Sequence, residues 1–169
     1  MNTTEIKKYF KERLQVKSAN PLIDDLLSKE TCAFLQTVGL PNSDELAFDF
    51  DNSLSLLPNN LVQLESGEGK PLCLDLKHNE AVCWSEDPSD FVNTSVQQFV
   101  DCVYEFEQYY ANIASKEVFG NFYDENEGNK NRLNYAMYLE EKFKLIDPAV
   151  FVKGYYWPAF IESIAHGLG

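Results

Sequence analysis

Residues 71–113, PLCLDLKHNEAVCWSEDPSDFVNTSVQQFVDCVYEFEQYYANI, decide the fold, because they read as a β-hairpin, a short acidic connection and then a helix. A strand with one buried face is predicted by the alternation of apolar and mixed side chains, Leu72, Leu74 and Leu76 against Cys73, Asp75 and Lys77. A two-residue turn at His78-Asn79 follows, since Asn tolerates a positive φ. That register places Lys77 opposite Glu80 and Cys83 beside Leu74.

The second half of this stretch has the clearest amphipathic helical pattern in the chain. Thr94 and Gln97 have the spacing of a capping box at its N-terminus. The apolar side chains that follow recur at helical spacing: Val96, Phe99, Val100, Val103, Phe106 and Tyr110. We therefore expect one side of this helix to pack on the sheet that contains the hairpin.

Two helices are predicted before the sheet. Residues 3–17 form an amphipathic pattern that starts from a Thr cap. A second helix begins at Ser28 and ends at Gly39, which is suited to the left-handed conformation, while Pro41 prevents the helix from continuing. This signal for the end of the second helix is strong.

Short strands are predicted at 46–50 and 61–65, separated by a loop at 52–60. Successive strands joined by short links favour an antiparallel sheet. After the central helix, the pattern predicts in order a surface loop at 120–131, a helix at 132–144, a helical turn from Asp147-Pro148 and a helix within 154–166. The expected fold is α+β, a single domain over 1–169 with a mainly antiparallel twisted sheet and flanking N- and C-terminal helices.

Composition places the chain among soluble globular proteins. A length of 169 residues with 44% hydrophobic content supports a substantial core. The charged N-terminal stretch lacks the apolar run of a signal peptide, and no segment is long and apolar enough for a membrane span, so a cytoplasmic location without membrane contact is expected. The four cysteines lack CxxC spacing and are interpreted as buried thiols.

Charge is concentrated in the middle of the sequence. The net charge is −13, and residues 44–90 alone contain 11 acidic and two basic side chains. An acidic surface repels phosphate backbones, so direct nucleic-acid binding is disfavoured, whereas a basic protein would be attracted. The alternative interpretation is ordinary solubilising charge on loops.

Catalytic signals are weak. The sequence has no GxSxG motif, no Gly-rich phosphate loop and no HExxH motif, and its two histidines have no metal-ligand spacing to the cysteines. Asp49 and Asp51 would share one strand face and could act as paired carboxylates or bind a metal, but a solvated strand edge explains them more simply. We therefore predict no enzyme activity, no metal site and no cofactor.

If the acidic middle segment has a role in protein binding, its residues should lie on a common contact surface. Trp84 is expected on the hairpin face opposite the leucines, with Val82 and Cys73 as neighbours, where it is either packed under another element or an interface anchor. The predicted partner-binding residues are Asp49, Asp51, Asp75, Trp84, Glu86, Asp87 and Asp90.

Five stretches in this order resemble the SUKH superfamily of Syd- and Smi-like proteins, and the resemblance is closest to its fourth branch. They are FLQTVGLP at 34–41, AFDF at 47–50, LCLDLKHNEAVCW at 72–84, FVNTSVQQFVDCV at 91–103 and YYWPAFIE at 155–162. Each is a hydrophobic pattern with a few turn residues, and together they span most of the chain.

The resemblance implies an α+β domain that acts as a cytoplasmic immunity protein. Such a protein binds and neutralises a cognate polymorphic toxin, often a nuclease or a nucleic-acid deaminase, and needs no catalytic residues. A basic toxin would suit the acidic middle segment. The alternative is a Smi-like regulatory or scaffold protein that binds host proteins. The sequence leaves the oligomeric state open.

Overall fold

A five-stranded antiparallel sheet forms the centre of the protein in the computed structural model. The structure describes residues 2–65, 70–84, 90–114, 125–154 and 156–166, except for the side chains of 112–114 and 125–131. The strands follow one another in the sheet in chain order and are β3 (Ser55–Leu57), β4 (Leu61–Gln63), β5 (Leu72–Asp75), β6 (Glu80–Cys83) and β7 (Asp90–Asn93). Every neighbouring pair is antiparallel, which confirms the predicted α+β class.

Helices precede and follow this sheet. They are α1 (Thr3–Phe10), α2 (Pro21–Asp24), α3 (Lys29–Thr37), α4 (Val96–Ala114), α5 (Glu125–Ile146) and α6 (Tyr156–His166), with short 3₁₀ turns at Lys11–Arg13, Pro58–Asn60 and Pro148–Phe151. A second, two-stranded sheet joins β1 (Leu14–Gln15) to β2 (Leu40–Pro41). Within the described residues, no helix is long and apolar enough to cross a membrane.

The central helix α4 lies on the leucine face of the hairpin, as its apolar pattern predicts. Phe99 and Val103 of α4 are fully buried in the same cluster as Leu72 and Leu74 of β5. Trp157 of α6 is also buried there, with its ring centroid 6.3 Å from that of Phe99. Burial of side chains of this size contributes about 1.5–3 kcal/mol each, so this layer stabilises the packing of α4 and α6 on the sheet.

The hairpin turn has four residues, so the predicted two-residue turn is wrong. Asp75 pairs with Glu80, and Leu72 pairs with Cys83. The Asp75 carboxylate accepts hydrogen bonds from the backbone N–H of Lys77 at 2.8 Å and from the ring of His78 at 2.7 Å, which favours the wider turn. The register differs from the prediction by two residues, and side chains alternate with a period of two, so each side chain keeps its predicted face.

The first helix is shorter than predicted. It ends at Phe10 rather than at residue 17, because Lys11 has a φ of 50° and the chain then forms a 3₁₀ turn and β1. The cap is Asn2, whose side chain accepts from the backbone N–H of Thr4, instead of a Thr. Arg13 in the 3₁₀ turn instead donates its guanidinium hydrogens to the Glu107 carboxylate of α4.

The predicted stop of α3 is confirmed. The Ser28 hydroxyl accepts from the backbone N–H of Thr31, and Gly39 has a φ of 86°. A Cβ at Gly39 would lie 2.5 Å from the Gln15 carbonyl oxygen, so β1 also requires glycine at this position.

Five further features differ from the sequence predictions. Residues 46–50 form no strand, since Ala47 has a φ of 55° and a single bridge joins Ser43 to Phe48. Strand β3 lies in the predicted loop at 52–60, and β7 lies in the predicted connection before α4. The hydroxyl that caps α4 belongs to Ser95, which accepts from the N–H of Gln98 at 3.2 Å. Helix α5 begins at Glu125, inside the predicted loop at 120–131, of which residues 120–124 lie outside the described part.

Candidate protein-binding surface

A shallow pocket of about 220 Å³ lies where β4 ends. Its lining is mostly polar and consists of Asp51, Ser53, Ser55, Gln63, Leu64 and Glu65. The Glu65 carboxylate accepts the backbone N–H of Leu72 at 3.1 Å and also the backbone N–H of Asp49. Burial raises the pKa of Glu65 from its ordinary value.

The loop that carries Asp51 is held in a defined conformation. The Asp51 carboxylate accepts hydrogen bonds from the hydroxyl of Ser53 at 2.6 Å and from its backbone N–H at 2.7 Å. These bonds lower the pKa of Asp51, so the group is ionised at neutral pH. Asp49, two residues earlier, is exposed.

Lys17 lies directly beneath this loop and was missed by the sequence analysis. It is 2% exposed, and its ammonium group donates to the backbone oxygen of Asp51 at 2.8 Å and to that of Leu64 at 2.6 Å. Burial lowers the pKa of Lys17 to about 8, opposed by the nearby charge of Asp51. Lysines in an amphipathic pattern are normally exposed, so only the three-dimensional structure shows this cross-link.

Asp90 lies at the same end of the sheet as this pocket. It pairs with Cys83, which pairs with Leu72, the residue whose N–H binds Glu65. Lys70 approaches Asp90 at 4.0 Å. We call the group Asp49, Asp51, Glu65 and Asp90 the acidic sheet end.

Trp84 also lies at this end, because its backbone N–H donates to the carbonyl of Pro71, the residue immediately before β5. Its ring is partly buried and packs against a small cluster of Leu61, Cys73 and Val82 on the sheet face opposite the main core. The predicted neighbours Val82 and Cys73 are therefore confirmed. Cys73 has no exposed surface, so the centre of this face is closed and Trp84 borders it.

Asp75 is separated from the other predicted residues. It ends β5, four residues from Pro71, which corresponds to a distance of about 13 Å along an extended strand. Burial would raise the pKa of Asp75, but its hydrogen bonds from His78 and from the Lys77 N–H outweigh burial and lower the pKa. Glu86 and Asp87, the remaining predicted residues, lie outside the described part of the chain.

The chemistry at this surface suits recognition of cationic groups. Two carboxylates, those of Asp51 and Glu65, converge with hydroxyl and amide side chains around the pocket. No group of three or more metal-ligating side chains is arranged to hold an ion in the ranges that the structure describes. Burial raises the pKa of the Cys73 and Cys83 thiols to about 12, so both remain protonated at neutral pH.

The fold and the site together define the class of this protein. It is an α+β domain with a meandering antiparallel sheet and an acidic surface site. A family model described as SUKH-4 immunity protein matches residues 22–163, and the chain therefore belongs to the SUKH-4 immunity protein family. The resemblance to the fourth SUKH branch is thereby confirmed. Searches of the curated proteins and of the solved structures found no significant match.

Proposed function

We propose that this protein binds and neutralises a cognate polymorphic toxin, and that the acidic sheet end contacts a basic surface of that toxin. Membership of an immunity protein family supports a toxin as the partner. The observation that carries the choice of surface is the convergence of Asp51 and Glu65 on one pocket, with Asp49 next to Glu65 and Asp90 at the same end of the sheet. Neutralisation by binding alone requires no catalytic group in this chain.

A nuclease or a nucleic-acid deaminase is the toxin class that this surface fits best. Such enzymes present basic side chains to bind phosphates, and carboxylates on a rigid edge can occupy the same positions. The Ser53 and Leu72 N–H groups fix two of these carboxylates, which reduces the entropy lost on binding. The net charge of −13 would in addition steer a cationic partner during association.

The proposed contact set contains the other predicted residues as well. Trp84 borders the acidic sheet end and presents a partly buried aromatic ring, a common anchor in interfaces. Glu86 and Asp87 are adjacent to it in sequence and add negative charge. Asp75 lies at the opposite end of the hairpin and would contribute a peripheral contact with a smaller effect.

The test uses the cognate toxin, identified by pull-down with the tagged protein from its native host and purified as a catalytically inactive variant. Replacing Asp49, Asp51 and Asp90 by Lys should slow association tenfold or more at low salt and weaken its dependence on ionic strength, as measured by surface plasmon resonance. A control with the same charge change uses the exposed residues Glu12, Glu30 and Glu141. Equal association rates for both triple variants would show that another surface is used.

A further inference from the structure

An apolar groove of about 350 Å³ runs between α5 and α6, on elements that do not contribute to the acidic sheet end. Helix α5 lines it with Leu133, Ala136 and Met137, and α6 lines it with Pro158 and Ile161. Ala136 and Ile161 are buried and form the floor, whereas Leu133 is 52% exposed and Met137 is 60% exposed. Among the residues that the structure describes, these two side chains leave an apolar edge of the groove open to solvent.

The spacing of the lining residues defines the shape of the groove. On α5 they occupy positions 133, 136, 137 and 140, and on α6 positions 158, 161, 162 and 165, which is one face of each helix over two turns. Seven residues of helix correspond to about 10 Å. A groove of that length between two helices matches the apolar stripe of a third helix of two to three turns.

The charged side chains at the edge of the α5–α6 groove indicate what kind of partner segment would bind there. The charged side chains that line the groove are Glu140 on α5 and Glu162 on α6. Lys144 pairs with Glu140, whereas Glu162 is exposed and has no ion-pair partner in the described part of the chain. A helix with a Lys or Arg beside its apolar stripe would therefore complement both the floor and the rim.

We propose that the α5–α6 groove is a docking site for an amphipathic helix of a basic partner protein, with apolar residues at i, i+3, i+4 and i+7 and a flanking cation that pairs with Glu162. Met137 provides an adaptable contact at the edge, since its flexible thioether side chain conforms to different apolar shapes. This site is separate from the acidic sheet end and does not depend on the identity of the toxin.

The test titrates the full chain into a fluorescein-labelled 14-residue peptide that has leucines on one stripe and flanking lysines. Fluorescence anisotropy in 150 mM salt should show saturable binding, and Met137→Glu should weaken it tenfold or more. Glu162→Gln should weaken it two- to fivefold. Leu145→Glu is the matched control, because Leu145 is 81% exposed on the same helix but does not line the groove, and it should bind like the parent protein.

Two results would overturn the proposal. One is equal affinity for a scrambled peptide of the same composition, or equal affinity of Met137→Glu and Leu145→Glu, since either would indicate only general attraction to an acidic protein. The other is a dimer in sedimentation velocity that Met137→Glu dissociates and Leu145→Glu does not, because the groove would then be an interface between two copies. Circular dichroism of each variant confirms that it remains folded.

Discussion

The ammonium nitrogen of Lys17 lies 2.8 Å from the backbone oxygen of Asp51. A buried cation near the N-terminus thus holds the loop that carries one of the candidate toxin-binding carboxylates. The same group also binds the backbone oxygen of Leu64 at the end of β4, so it joins three segments that are distant in sequence. The N-terminal segment therefore has a direct part in shaping the acidic sheet end.

Replacing Lys17 by Met should lower the free energy of unfolding by about 1–3 kcal/mol at pH 7. The substitution leaves the Asp51 and Leu64 oxygens without this donor, and hydrogen bonds to charged groups are typically worth about this much. Urea denaturation measures the change. Lys7→Met, at an exposed position of α1, is the control and should have almost no effect. A Lys17→Met protein as stable as the parent would mean that desolvation of the ammonium group cancels both bonds.

The stability difference between the parent protein and Lys17→Met should grow as pH rises from about 8 to 10.5. The pKa of Lys17 is lowered from 10.5 to about 8 in the folded state, so the unfolded chain binds more protons in this window. The contribution of Lys17 deprotonation to the free energy of unfolding is fully present above pH 10.5, and it is lost as the pH falls through 8. The lowering of the Lys17 pKa corresponds to a change of about 3 kcal/mol in the free energy of unfolding across this pH range.

The comparison of two proteins is needed because other buried groups act in the opposite direction. Burial raises the pKa of Cys73 and Cys83, so these thiols reduce stability as the solution becomes more alkaline. Urea denaturation at several pH values, with the two curves subtracted, isolates the contribution of Lys17. A difference that is constant with pH would contradict the burial of a charged amine at this position.

The ion pair of Arg13 and Glu107 should show strong energetic coupling. The two guanidinium nitrogens donate to the two carboxylate oxygens at 3.0 and 2.7 Å, and the Glu107 side chain is only 4% exposed. Arg13→Ala alone should cost about 2–4 kcal/mol, because it leaves a buried carboxylate unpaired. A double-mutant cycle with Glu107→Ala should give a coupling of about 1–3 kcal/mol. If the effects of the two substitutions on the free energy of unfolding were additive, the two side chains would have no energetic coupling.

Asp147 should be among the most sensitive positions of the core. It is 1% exposed and accepts hydrogen bonds from Asn93 at 3.2 Å, from the N–H and hydroxyl of Thr94 at 2.6 and 3.0 Å, and from the N–H of Ala149 at 3.2 Å. Asp147→Ala leaves the buried Asn93 amide and three partly buried donors of Thr94 and Ala149 without this acceptor, so the free energy of unfolding should fall by about 3 kcal/mol.

Asp147→Asn should have a smaller effect than Asp147→Ala, because one acceptor oxygen remains. Asp25→Ala, at an exposed position, serves as the control in the same denaturation experiment and should be nearly neutral. If Asp147→Ala were as stable as Asp25→Ala, the network that joins β7, α4 and the 3₁₀ turn after α5 would not contribute to stability.

Much of the fold was predictable because it depends on local patterns. The alternation in β5 and the period of α4 correctly predict which side chains reach the core. The hairpin faces survive a register error of two residues, since side-chain direction repeats every two residues. Strand β3 was missed because Ser55 to Leu57 has no clear alternation, and its pairing with β4 stabilises it.

The candidate site was predictable only in part. The acidic segment 44–90 indicated the correct kind of surface chemistry, but sequence position gave no information about which carboxylates converge. The structure brings Asp49 and Asp51 close to Glu65, which the sequence analysis did not include, and leaves Asp75 at the other end of the hairpin. No pattern in the sequence indicated Lys17, because an isolated lysine in a polar context is usually solvated.

The sequence by itself determined the features that arise within a few residues, including the Ser28 cap, the left-handed Gly39 and the buried faces of the hairpin and α4. Only the tertiary structure decided the long-range features. Arg13 meets Glu107 across 94 positions, and Lys17 meets Leu64 across 47. The physical reason is that caps and periodic burial depend on neighbouring residues, whereas ion pairs and clustered carboxylates depend on which strands pair and how the helices close over the sheet.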